Sequence, residues 1–509
     1  MSLTKAKNTV AKLPTYIDGF DFISVGGIPK GRTTLITGTA GSAKTVFAAQ
    51  FLAGGIKNAN EHGVFVTFEE SPKDIMNNVS SLGWDFNTWC ENNQLRFVDA
   101  SPDPDFEVMV TGGYDFSALL ARIEHAIKKI NAKRVVLDSL GAIFTQFEDS
   151  SLVRNELFRI SSALKNMGVT AIMTAERTDE YGDIARFGIE EFVADNVIIL
   201  RNVLEAEKRR RTIEILKFRG TIHQKGEYPF TIIPDTGIIV IPLTAIELKQ
   251  RSSDVRITSG NEDLDQMCGG GFFRDSVILV SGATGTGKTM MVTEFLAGGA
   301  RQGERCLLFA FEESREQLIR NASGWGVDFE KLEQEGKLMI VANYPESAGL
   351  EDHLINMKKI MDDFKPGRVA VDSLSALERV STVKGYREFV ISLTSFIKHQ
   401  ESAGLFTSTT ASLLGGQSVT EAHISSITDS IILLRYVETF GEMRRGITVL
   451  KMRGSMHEKE IREYRIDSSG MRIGDVFKNI TGILSGNTKI VETKEIERMD
   501  SLFQDSNSQ

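Results

Sequence analysis

Short apolar runs alternate with helix-length segments along most of this chain. The runs Thr33–Ile36, Val64–Val66 and Val277–Val280 have the length and the apolar, β-branched character of buried strands. Segments such as 116–130 and 154–167 have the length of helices. This alternation predicts an α/β fold of doubly wound, mostly parallel sheets flanked by helices.

Landmarks of the first half of the chain recur in the same order in the second half. The tetrapeptide Phe-Glu-Glu-Ser occurs at Phe68–Ser71 and at Phe311–Ser314, each time after a short hydrophobic strand. An apolar run that ends in Asp-Ser recurs at 134–139 and 368–373. Such collinear repetition indicates a tandem duplication.

The join between the repeats is a polar stretch without periodicity at 250–254. We therefore expect a first domain at residues 1–245, a second domain at 246–486, and a mobile polar tail at 487–509. Phosphate sites in doubly wound sheets lie at the carboxyl ends of the strands, where the landmarks of both repeats also fall.

Each repeat contains a glycine-rich segment between a predicted strand and a predicted helix. This is the context of a phosphate-binding P-loop, in which glycines let backbone amides surround a β-phosphate. The lysine of such a loop reaches the β- and γ-oxygens, and the next residue offers its hydroxyl to Mg²⁺. ATP and Mg²⁺ are therefore the expected ligands of Gly38, Thr39, Ala40, Gly41, Ser42, Ala43, Lys44 and Thr45, and of Gly282, Ala283, Thr284, Gly285, Thr286, Gly287, Lys288 and Thr289.

The second loop matches the GxxxxGK[ST] pattern in full, whereas Ala43 replaces the last glycine of the first. Alanine is tolerable there if the backbone has φ below zero and the amide still faces the phosphate. On that condition we expect the first repeat to hydrolyse ATP.

Aspartates follow the predicted strands at the Walker B position, from which a carboxylate orients Mg²⁺ through water. An aspartate at a strand end can also simply cap the next helix. The P-loop in the same repeat favours the metal role. The candidate metal ligands are Thr45, Asp138, Thr289, Glu312 and Asp372.

The Glu-Glu pair of each repeat follows a strand, where one carboxylate can turn toward a γ-phosphate and polarise the attacking oxygen. The alternative is a pair of solvated surface glutamates. Repetition in register favours catalysis, and the candidate catalytic residues are Glu69, Glu70, Glu312 and Glu313.

Cations alternate near the end of a late predicted strand in each repeat and so share a face: Lys217 with Arg219, and Lys451 with Arg453. They suggest neutralisation of phosphate charge from an adjoining subunit, as an arginine finger does. The alternative is a cationic strip that protects a sheet edge from aggregation. The basic run Lys208–Arg211 is only partly shared by the second repeat, which favours a solvated turn over nucleic-acid contact.

Composition and charge indicate which classes of protein the chain can belong to. Hydrophobic residues are 41% and charged residues 25% of 509, which is ordinary for a soluble globular protein. The sequence contains no apolar run of membrane-spanning length and no signal-peptide core, so we expect a cytoplasmic protein without membrane contact. The formal charge of -9 argues against broad affinity for nucleic acid. We expect Cys90, Cys268 and Cys306 to be buried free thiols.

Several longer stretches carry a resemblance to one family. From about Leu13 to about Gly486 the chain is similar to the KaiC family, the RecA-type double-domain ATPases and autokinases of the cyanobacterial circadian clock. Generic RecA-like ATPases do not share the matching stretches, which are Asp99–Pro104, Gly226–Phe230, Cys268–Phe273, Tyr344–His353 and His423–Asp429.

The resemblance implies two RecA-like domains in a nucleotide-dependent, double-ring homohexamer with ATP between subunits. It implies ATP hydrolysis in the first ring and autophosphorylation in the second. It also implies further nucleotide contacts from Ser81, Lys217, Phe218, Arg219, Thr221, His223, Trp325, Arg445, Lys451, Met452, Arg453, Ser455 and His457.

By the same resemblance, Ser425 and Ser426 occupy two phosphoacceptor positions, and Thr420 is a nearby hydroxyl. Glu191 and Phe192 correspond to the two serines in the first repeat, so only the second repeat has hydroxyls to phosphorylate there. Without the surrounding match, a serine pair would suggest only a polar turn.

The chain also departs from the family pattern. Ser426 stands where the family commonly has threonine, so the order of phosphorylation does not carry over, and Glu421 replaces an aspartate and lengthens that carboxylate. The tail after Gly486 does not resemble the segment that binds the activator KaiA, which makes dependence on KaiA doubtful. The region Asp99–Asp105 is better kept, so a KaiB-like protein is a candidate partner.

Two other classes of function stay open. A RecA-like nucleic-acid motor or recombinase shares the fold, although the sequence has no basic strip interleaved with aromatic residues for single strands. A nucleotide-gated scaffold without kinase activity is the other class.

Overall fold

The structure of the chain, a computed structural model, describes residues 10–101, 116–139, 141, 150–184, 194–205, 208–242, 253–410, 424–439, 441–478, 480–484 and 489–490. The chain divides into two compact units, Met1–Ala245 and Ile246–Gln509. Most of the expected linker at 250–254, and the expected tail at 487–509 except Lys489 and Ile490, lie outside the described residues.

The strands of the first unit are β1 (Lys12–Leu13), β2 (Ile28–Pro29), β3 (Thr33–Gly38), β4 (Gly63–Thr67), β5 (Leu95–Asp99), β6 (Arg134–Asp138), β7 (Thr170–Glu176), β8 (Asn196–Glu205), β9 (Lys208–Phe218), β10 (Glu227–Ile233) and β11 (Gly237–Val240). Nine of them form one sheet in the order β11-β10-β9-β8-β3-β7-β6-β4-β5. The strands from β8 through β3 to β5 pair in parallel, whereas β9, β10 and β11 form an antiparallel extension.

The strands of the second unit are β12 (Arg256–Ile257), β13 (Phe272–Phe273), β14 (Val277–Gly282), β15 (Cys306–Ala310), β16 (Leu338–Ala342), β17 (Arg368–Asp372), β18 (Ala403–Thr409), β19 (Ser430–Thr439), β20 (Glu442–Met452), β21 (Arg462–Asp467), β22 (Gly470–Val476), β23 (Ile480–Thr481) and β24 (Lys489–Ile490). The large sheet has the order β16-β15-β17-β18-β14-β19-β20-β21-β22. It repeats the first sheet, with parallel pairing from β16 to β19 and an antiparallel extension.

Helices connect the parallel strands of both sheets, and one short helix in each unit connects the strands of the small antiparallel pairs β1–β2 and β12–β13. In the first unit they are Phe20–Ile23, Lys44–Ala59, Pro72–Ser80, Phe86–Glu91, Phe116–Ile130 and Ser150–Asn166. In the second they are Glu262–Met267, Lys288–Arg301, Arg315–Gly324, Phe329–Gln334, Leu350–Phe364, Leu374–Arg379 and Val383–His399, with short 3₁₀ turns at Pro345–Ser347 and Ile424–Ser426. Two tandem, doubly wound, mostly parallel sheets confirm the predicted fold class.

A buried arginine ties the Walker B strand of each unit to the helix that follows the phosphate loop. Arg368, at the start of β17, pairs with Glu304 at 2.6 Å and donates to the carbonyl of Phe295 at 2.8 Å. Arg134 makes the matching contacts with Glu61 and with the carbonyl of Phe51. Because a buried guanidinium must be fully paired, these contacts fix the strand that ends in the aspartate relative to the loop.

The described part of the chain also bears on two expectations from the sequence, which concern membrane-spanning segments and the cysteines. Its helices include none that is both long and apolar enough to cross a membrane. Cys268 and Cys306 are buried free thiols as expected, whereas Cys90 is only half-buried.

Candidate functional site

Each glycine-rich loop links a buried central strand to a helix, as the sequence predicts. β14 is buried at every position between β18 and β19, and the helix Lys288–Arg301 follows it. Two positions in each loop have left-handed backbone: Gly41 (φ 73°) and Ala43 (φ 74°) in the first, and Gly285 (φ 81°) and Gly287 (φ 97°) in the second. The two loops therefore share one backbone conformation.

The condition on which we expect ATP hydrolysis in the first repeat, that Ala43 has φ below zero, is not met. The Ala43 backbone is left-handed (φ 74°, ψ 29°) because the residue caps the helix Lys44–Ala59, as Gly287 caps the corresponding helix. A Cβ in this conformation crowds the following carbonyl and costs about 1–2 kcal/mol. The first loop thus keeps the P-loop backbone with a strained alanine where glycine is favoured. Because the loop still has left-handed backbone at the same two positions as the second loop, hydrolysis in the first repeat stays a prediction.

The P-loop lysines fold back onto their own loops. Lys44 Nζ donates to the carbonyls of Gly38 and Thr39 at 2.9 and 3.0 Å. Lys288 Nζ donates to the carbonyls of Gly282 and Ala283 at 2.9 and 3.1 Å. Burial lowers the pKa of both lysines, and nearby carboxylates oppose that shift. Each ammonium is thereby held at the loop where phosphate oxygens bind.

The Walker B aspartates lie beside the threonines that end the loops. Thr289 Oγ1 donates to Asp372 Oδ2 at 2.7 Å, and Thr407 Oγ1 donates to Asp372 Oδ1. Asp138 accepts from Thr174 in the same way, and Thr45 also bonds it. Burial raises the pKa of both aspartates, and the threonine hydrogen bonds oppose the rise. Hydroxyl and carboxylate oxygens are the donors that Mg²⁺ prefers, so this pair of groups suits that ion.

The serine of each Phe-Glu-Glu-Ser segment caps a helix and so fixes the direction of the two glutamates. Ser71 caps Pro72–Ser80, and Ser314 caps Arg315–Gly324 in a full capping box with Gln317. In both units the second glutamate of the pair accepts from an asparagine of the capped helix. Asn78 Nδ2 donates to Glu70 at 3.2 Å, and Asn321 Nδ2 donates to Glu313 at 2.7 Å.

The first glutamate of each pair instead contacts a residue that follows the Walker B strand, and here the two units differ. Glu69 accepts from Ser139 Oγ at 3.0 Å, and partial burial raises its pKa. Glu312 forms an ion pair with Arg379 at 3.0 Å. Partial burial also raises the pKa of Glu313, but Asn321 already occupies its carboxylate. The first glutamate of each pair also interacts electrostatically with the loop lysine, Glu69 with Lys44 and Glu312 with Lys288, which favours these two as the glutamates that can turn to a phosphate.

The late cations do not lie on sheet edges, so the edge-protection alternative is wrong. β9 lies between β8 and β10, and β20 lies between β19 and β21. Nor do the arginines share a strand face with the lysines, because β9 ends at Phe218 and β20 at Met452. Arg219 forms an ion pair with Asp195 at 3.8 Å, and Arg453 lies 3.7 Å from Asp429.

The basic run Lys208–Arg211 is not a turn but the start of β9, where it pairs with the end of β8. Arg209 donates to the carbonyl of Asn202 at 2.8 Å, and Arg211 Nε donates to the carbonyl of Gly41 at 3.3 Å. One arginine of the run therefore contacts the phosphate loop, which the sequence reasoning missed. The sequence signal that could have found it is Arg445, which corresponds to Arg211 in the second repeat and is already among the implied nucleotide contacts. In the structure the Arg445 guanidinium lies 5.8 Å from the Tyr436 ring.

Glu180 is a second residue near the first loop that sequence reasoning missed. Its carboxylate accepts from Thr39 Oγ1 at 2.5 Å and from the Asn202 amide at 3.0 Å. Arg201 Nε donates to the Glu180 carbonyl at 3.2 Å. These contacts join residues far apart in sequence, and no local pattern signals them.

The two serines predicted as phosphoacceptors lie in the 3₁₀ turn Ile424–Ser426, immediately before β19. Ile424 is buried, Ser425 is half-buried and Ser426 is exposed. Lys451 Nζ donates to the carbonyl of Ser425, and Arg453 donates to that of Ser426. Glu191, Phe192, Thr420, Glu421 and residues 102–105 of the candidate KaiB region lie outside the described residues.

The other predicted nucleotide contacts are spread around the carboxyl ends of the sheets and the segments after β9 and β20. Phe218 and His223 pack edge to face at 5.5 Å, close to half-buried Thr221. Ser81 ends the helix Pro72–Ser80. Buried Met452 ends β20, and half-buried Ser455 and half-buried His457 follow the strand. Trp325 lines a cleft of about 830 Å³ beside the helix Lys288–Arg301.

Features of the first loop fit a bound polyphosphate with Mg²⁺. A Cβ on Gly38 would lie 2.4 Å from Ser42 Oγ and from the Leu200 carbonyl, so the loop closes only with glycine there. Within the described part of the chain, the buried Ser42 Oγ has no hydrogen-bond partner. Together with a buried lysine and a threonine-aspartate pair, this is the donor set that a P-loop presents to nucleotide.

The tandem sheets and their phosphate loops define a RecA-like P-loop ATPase with two repeated domains. A family model described as the KaiC ATPase matches residues 13–245 and 257–476. The chain is 67% identical over 494 residues to the circadian clock protein KaiC3 of Synechocystis sp., which covers 97% of this chain and 98% of that protein. The chain belongs to the KaiC family.

Other relatives match over a similar extent. The circadian clock oscillator protein KaiC of Thermostichus vulcanus is 57% identical over 503 residues, covering 98% of this chain and 96% of the relative. The protein of the same name from Prochlorococcus marinus is 55% identical over 480 residues, covering 94% of each chain. These matches confirm the resemblance that the sequence motifs indicated.

Proposed function

We propose that the chain is an ATP-dependent, autophosphorylating serine kinase and ATPase, active in clock-like or stress-linked signalling. Residues 1–245 hydrolyse ATP, and residues 246–486 transfer phosphate to Ser425 and Ser426 of a neighbouring subunit. The protein works in the cytoplasm as a homohexamer with ATP and Mg²⁺ at the subunit interfaces. A KaiB-like protein is its candidate partner, dependence on KaiA is doubtful, and neither nucleic acid nor membrane is a specific partner.

The observation that carries the proposal is the serine turn of the second unit. Ser425 and Ser426 lie in a turn whose carbonyls are held by Lys451 and Arg453, the cations expected to neutralise phosphate charge. Glu191 and Phe192 stand at the corresponding positions of the first repeat. The two repeats thus share the ATP-binding elements, but only the second offers acceptor hydroxyls. The clock names of the relatives support a signalling role.

The side chains of the second unit suit a transfer of phosphate to serine. Lys288 holds the β- and γ-oxygens, while Thr289 and Asp372 would hold Mg²⁺, which neutralises phosphate charge when bound. Glu312 accepts the hydroxyl proton as the serine Oγ–phosphorus bond forms and the bond between the γ-phosphorus and the oxygen of ADP breaks. In the first unit the corresponding groups activate a water molecule in place of a serine, and Glu69 is the base.

A nucleic-acid motor is less well supported, because the formal charge is -9 and the run Lys208–Arg211 contributes its side chains to internal pairing. A nucleotide-gated scaffold keeps both loops but transfers no phosphate. Intact-mass spectrometry after incubation with Mg·ATP separates these classes. We expect one or two added phosphates on the wild-type chain and none on a Ser425→Ala, Ser426→Ala chain. An unmodified wild-type mass would contradict the kinase assignment.

A further inference from the structure

One lysine binds the turn that carries both candidate acceptor serines, and we call its contacts with this turn the grip. Lys451 Nζ donates to the carbonyls of Ser425 and Thr428, each at 2.7 Å. These two carbonyls flank Ser426, so a single ammonium spans the segment in which both hydroxyls lie. The lysine is the penultimate residue of β20, and its partners lie just before β19, the neighbouring strand.

A second cation, Arg453, also binds the turn, and the carboxylate of Asp429 lies beside it; these contacts belong to the grip. Arg453 Nη2 donates to the carbonyl of Ser426 at 2.7 Å, and its guanidinium lies 3.7 Å from Asp429. Asp429 is itself fixed, because it forms an ion pair with Lys398 at 2.7 Å and accepts from the Val277 amide at 2.9 Å. Consecutive carbonyls of the turn are therefore bonded by cations anchored to the sheet.

Such bonds restrict where the serine hydroxyls lie. A serine Oγ lies one rotatable bond from the backbone, so a fixed turn restricts each Oγ to three staggered positions at a fixed place. Hydrogen bonds from charged donors are stronger than neutral ones, and here they bind the carbonyls of both acceptor serines and of Thr428. Burial and Arg453 lower the pKa of Lys451, while Asp429 opposes that shift. The two carbonyls of the turn therefore replace water as hydrogen-bond partners of the partly buried Lys451 ammonium.

We propose that Lys451 is a positioning residue for phosphate transfer, which fixes the acceptor turn and decides whether Ser425 or Ser426 is presented. The proposal rests on the kinase activity proposed above, in which the serine Oγ bonds the γ-phosphorus, its proton passes to Glu312, and ADP leaves. An ammonium has three donors and the turn takes two of them, so this role adds to the expected neutralisation of phosphate charge and does not replace it. A phosphate contact would affect both serines alike, whereas a grip on the turn sets the ratio between them.

The decisive experiment compares phosphorylation site by site in the full-length chain. Lys451→Met and Lys451→Arg are incubated with Mg·ATP, and phosphopeptide mass spectrometry gives the ratio of phosphate on Ser425 to that on Ser426. We expect the ratio to change by at least about tenfold in Lys451→Met, and Lys451→Arg to restore it in part. Lys128→Met, a change at an exposed lysine of the first unit that pairs with Glu124, should leave the ratio as it is in the wild type.

Hydrogen exchange tests the grip without relying on kinase activity. Amides of the peptide 424–430 should exchange at least about tenfold faster in Lys451→Met than in the wild type, while those of β14 stay unchanged. If the wild-type chain takes up no phosphate, the kinase proposal fails, and exchange alone decides the grip. The positioning role would be overturned if hydrogen exchange at 424–430 stayed unchanged in Lys451→Met. It would also be overturned if total phosphate fell while the ratio of phosphate on Ser425 to that on Ser426 stayed constant.

A second variant covers the case in which Lys451→Met does not fold. The Arg453 side chain is 53% exposed, so Arg453→Gln removes the bond to the Ser426 carbonyl with little disturbance of packing. This variant should also shift the ratio of the two phosphoserines and speed exchange at 424–430. A ratio and an exchange rate equal to those of the wild type would refute the grip independently of Lys451.

Discussion

Replacing Ala43 with glycine should stabilise the first unit. Ala43 caps the helix Lys44–Ala59 with φ 74°, a conformation that costs a residue with a Cβ about 1–2 kcal/mol. Glycine avoids that cost but adds about 0.4–1 kcal/mol of entropy to the unfolded chain. The difference is a net gain of about 0.5–1 kcal/mol. For a unit of this size that corresponds to a rise in Tm of about 1–4 °C.

Urea unfolding of the full-length chain without nucleotide measures this gain. A Trp325→Phe background leaves Trp84 and Trp89 as fluorescence reporters, and both lie in the first unit. The midpoint of Ala43→Gly should move to higher urea with an unchanged slope. The control Gly287→Ala should leave that transition unchanged, because its strain falls in the second unit, where the new Cβ would lie 2.5 Å from Ile466 Cδ1. A midpoint for Ala43→Gly at or below the parent would refute the left-handed assignment.

Three further predictions concern the second unit. Glu312→Gln should lower autophosphorylation by about 10²–10⁴ while nucleotide binding persists, since the amide cannot accept the serine proton; phosphate uptake at the wild-type rate would move the role to Glu313. Burial raises the pKa of Asp372, so the folded state loses stability as pH rises through that pKa. Asp372→Asn should therefore stabilise the nucleotide-free unit at neutral pH by roughly 1–3 kcal/mol, with the gain shrinking at acid pH in urea titrations. Mixing a Lys288→Ala chain with a chain lacking both acceptor serines should label only the first chain, and absence of labelling in mixed hexamers would mean transfer within one subunit.

The parts of the fold that local sequence determines were predictable. Alternating strand and helix lengths indicated the doubly wound sheets, and the glycine pattern located both phosphate loops with their lysines and threonines. These features depend on the chain within one strand-loop-helix segment, where periodicity and glycine content are informative. Repetition then extended the same reasoning to the second unit.

Features that depend on distant partners were not predictable. The run Lys208–Arg211 looked like a turn, but β9 extends through it because Arg209 and Arg211 find carbonyl partners on Asn202 and Gly41. Whether a strand lies at an edge depends on the order of the whole sheet, so the sequence alone left open the alternative that these cations protect an edge. The backbone of Ala43 is likewise set by closure of the loop against its helix, which residue type alone does not reveal.

The chemical difference between the two units lies outside their shared phosphate loops. Both loops have the same backbone conformation, the same lysine contacts and the same threonine-aspartate pair. What differs is the group that meets the first glutamate, a neutral hydroxyl of Ser139 in one unit and the guanidinium of Arg379 in the other. The Arg379 pair is exposed and therefore weak, so it orients Glu312 without fixing it. Changes in the loops should thus alter nucleotide binding in either unit, whereas changes around the glutamates and the acceptor turn should alter what receives the phosphate.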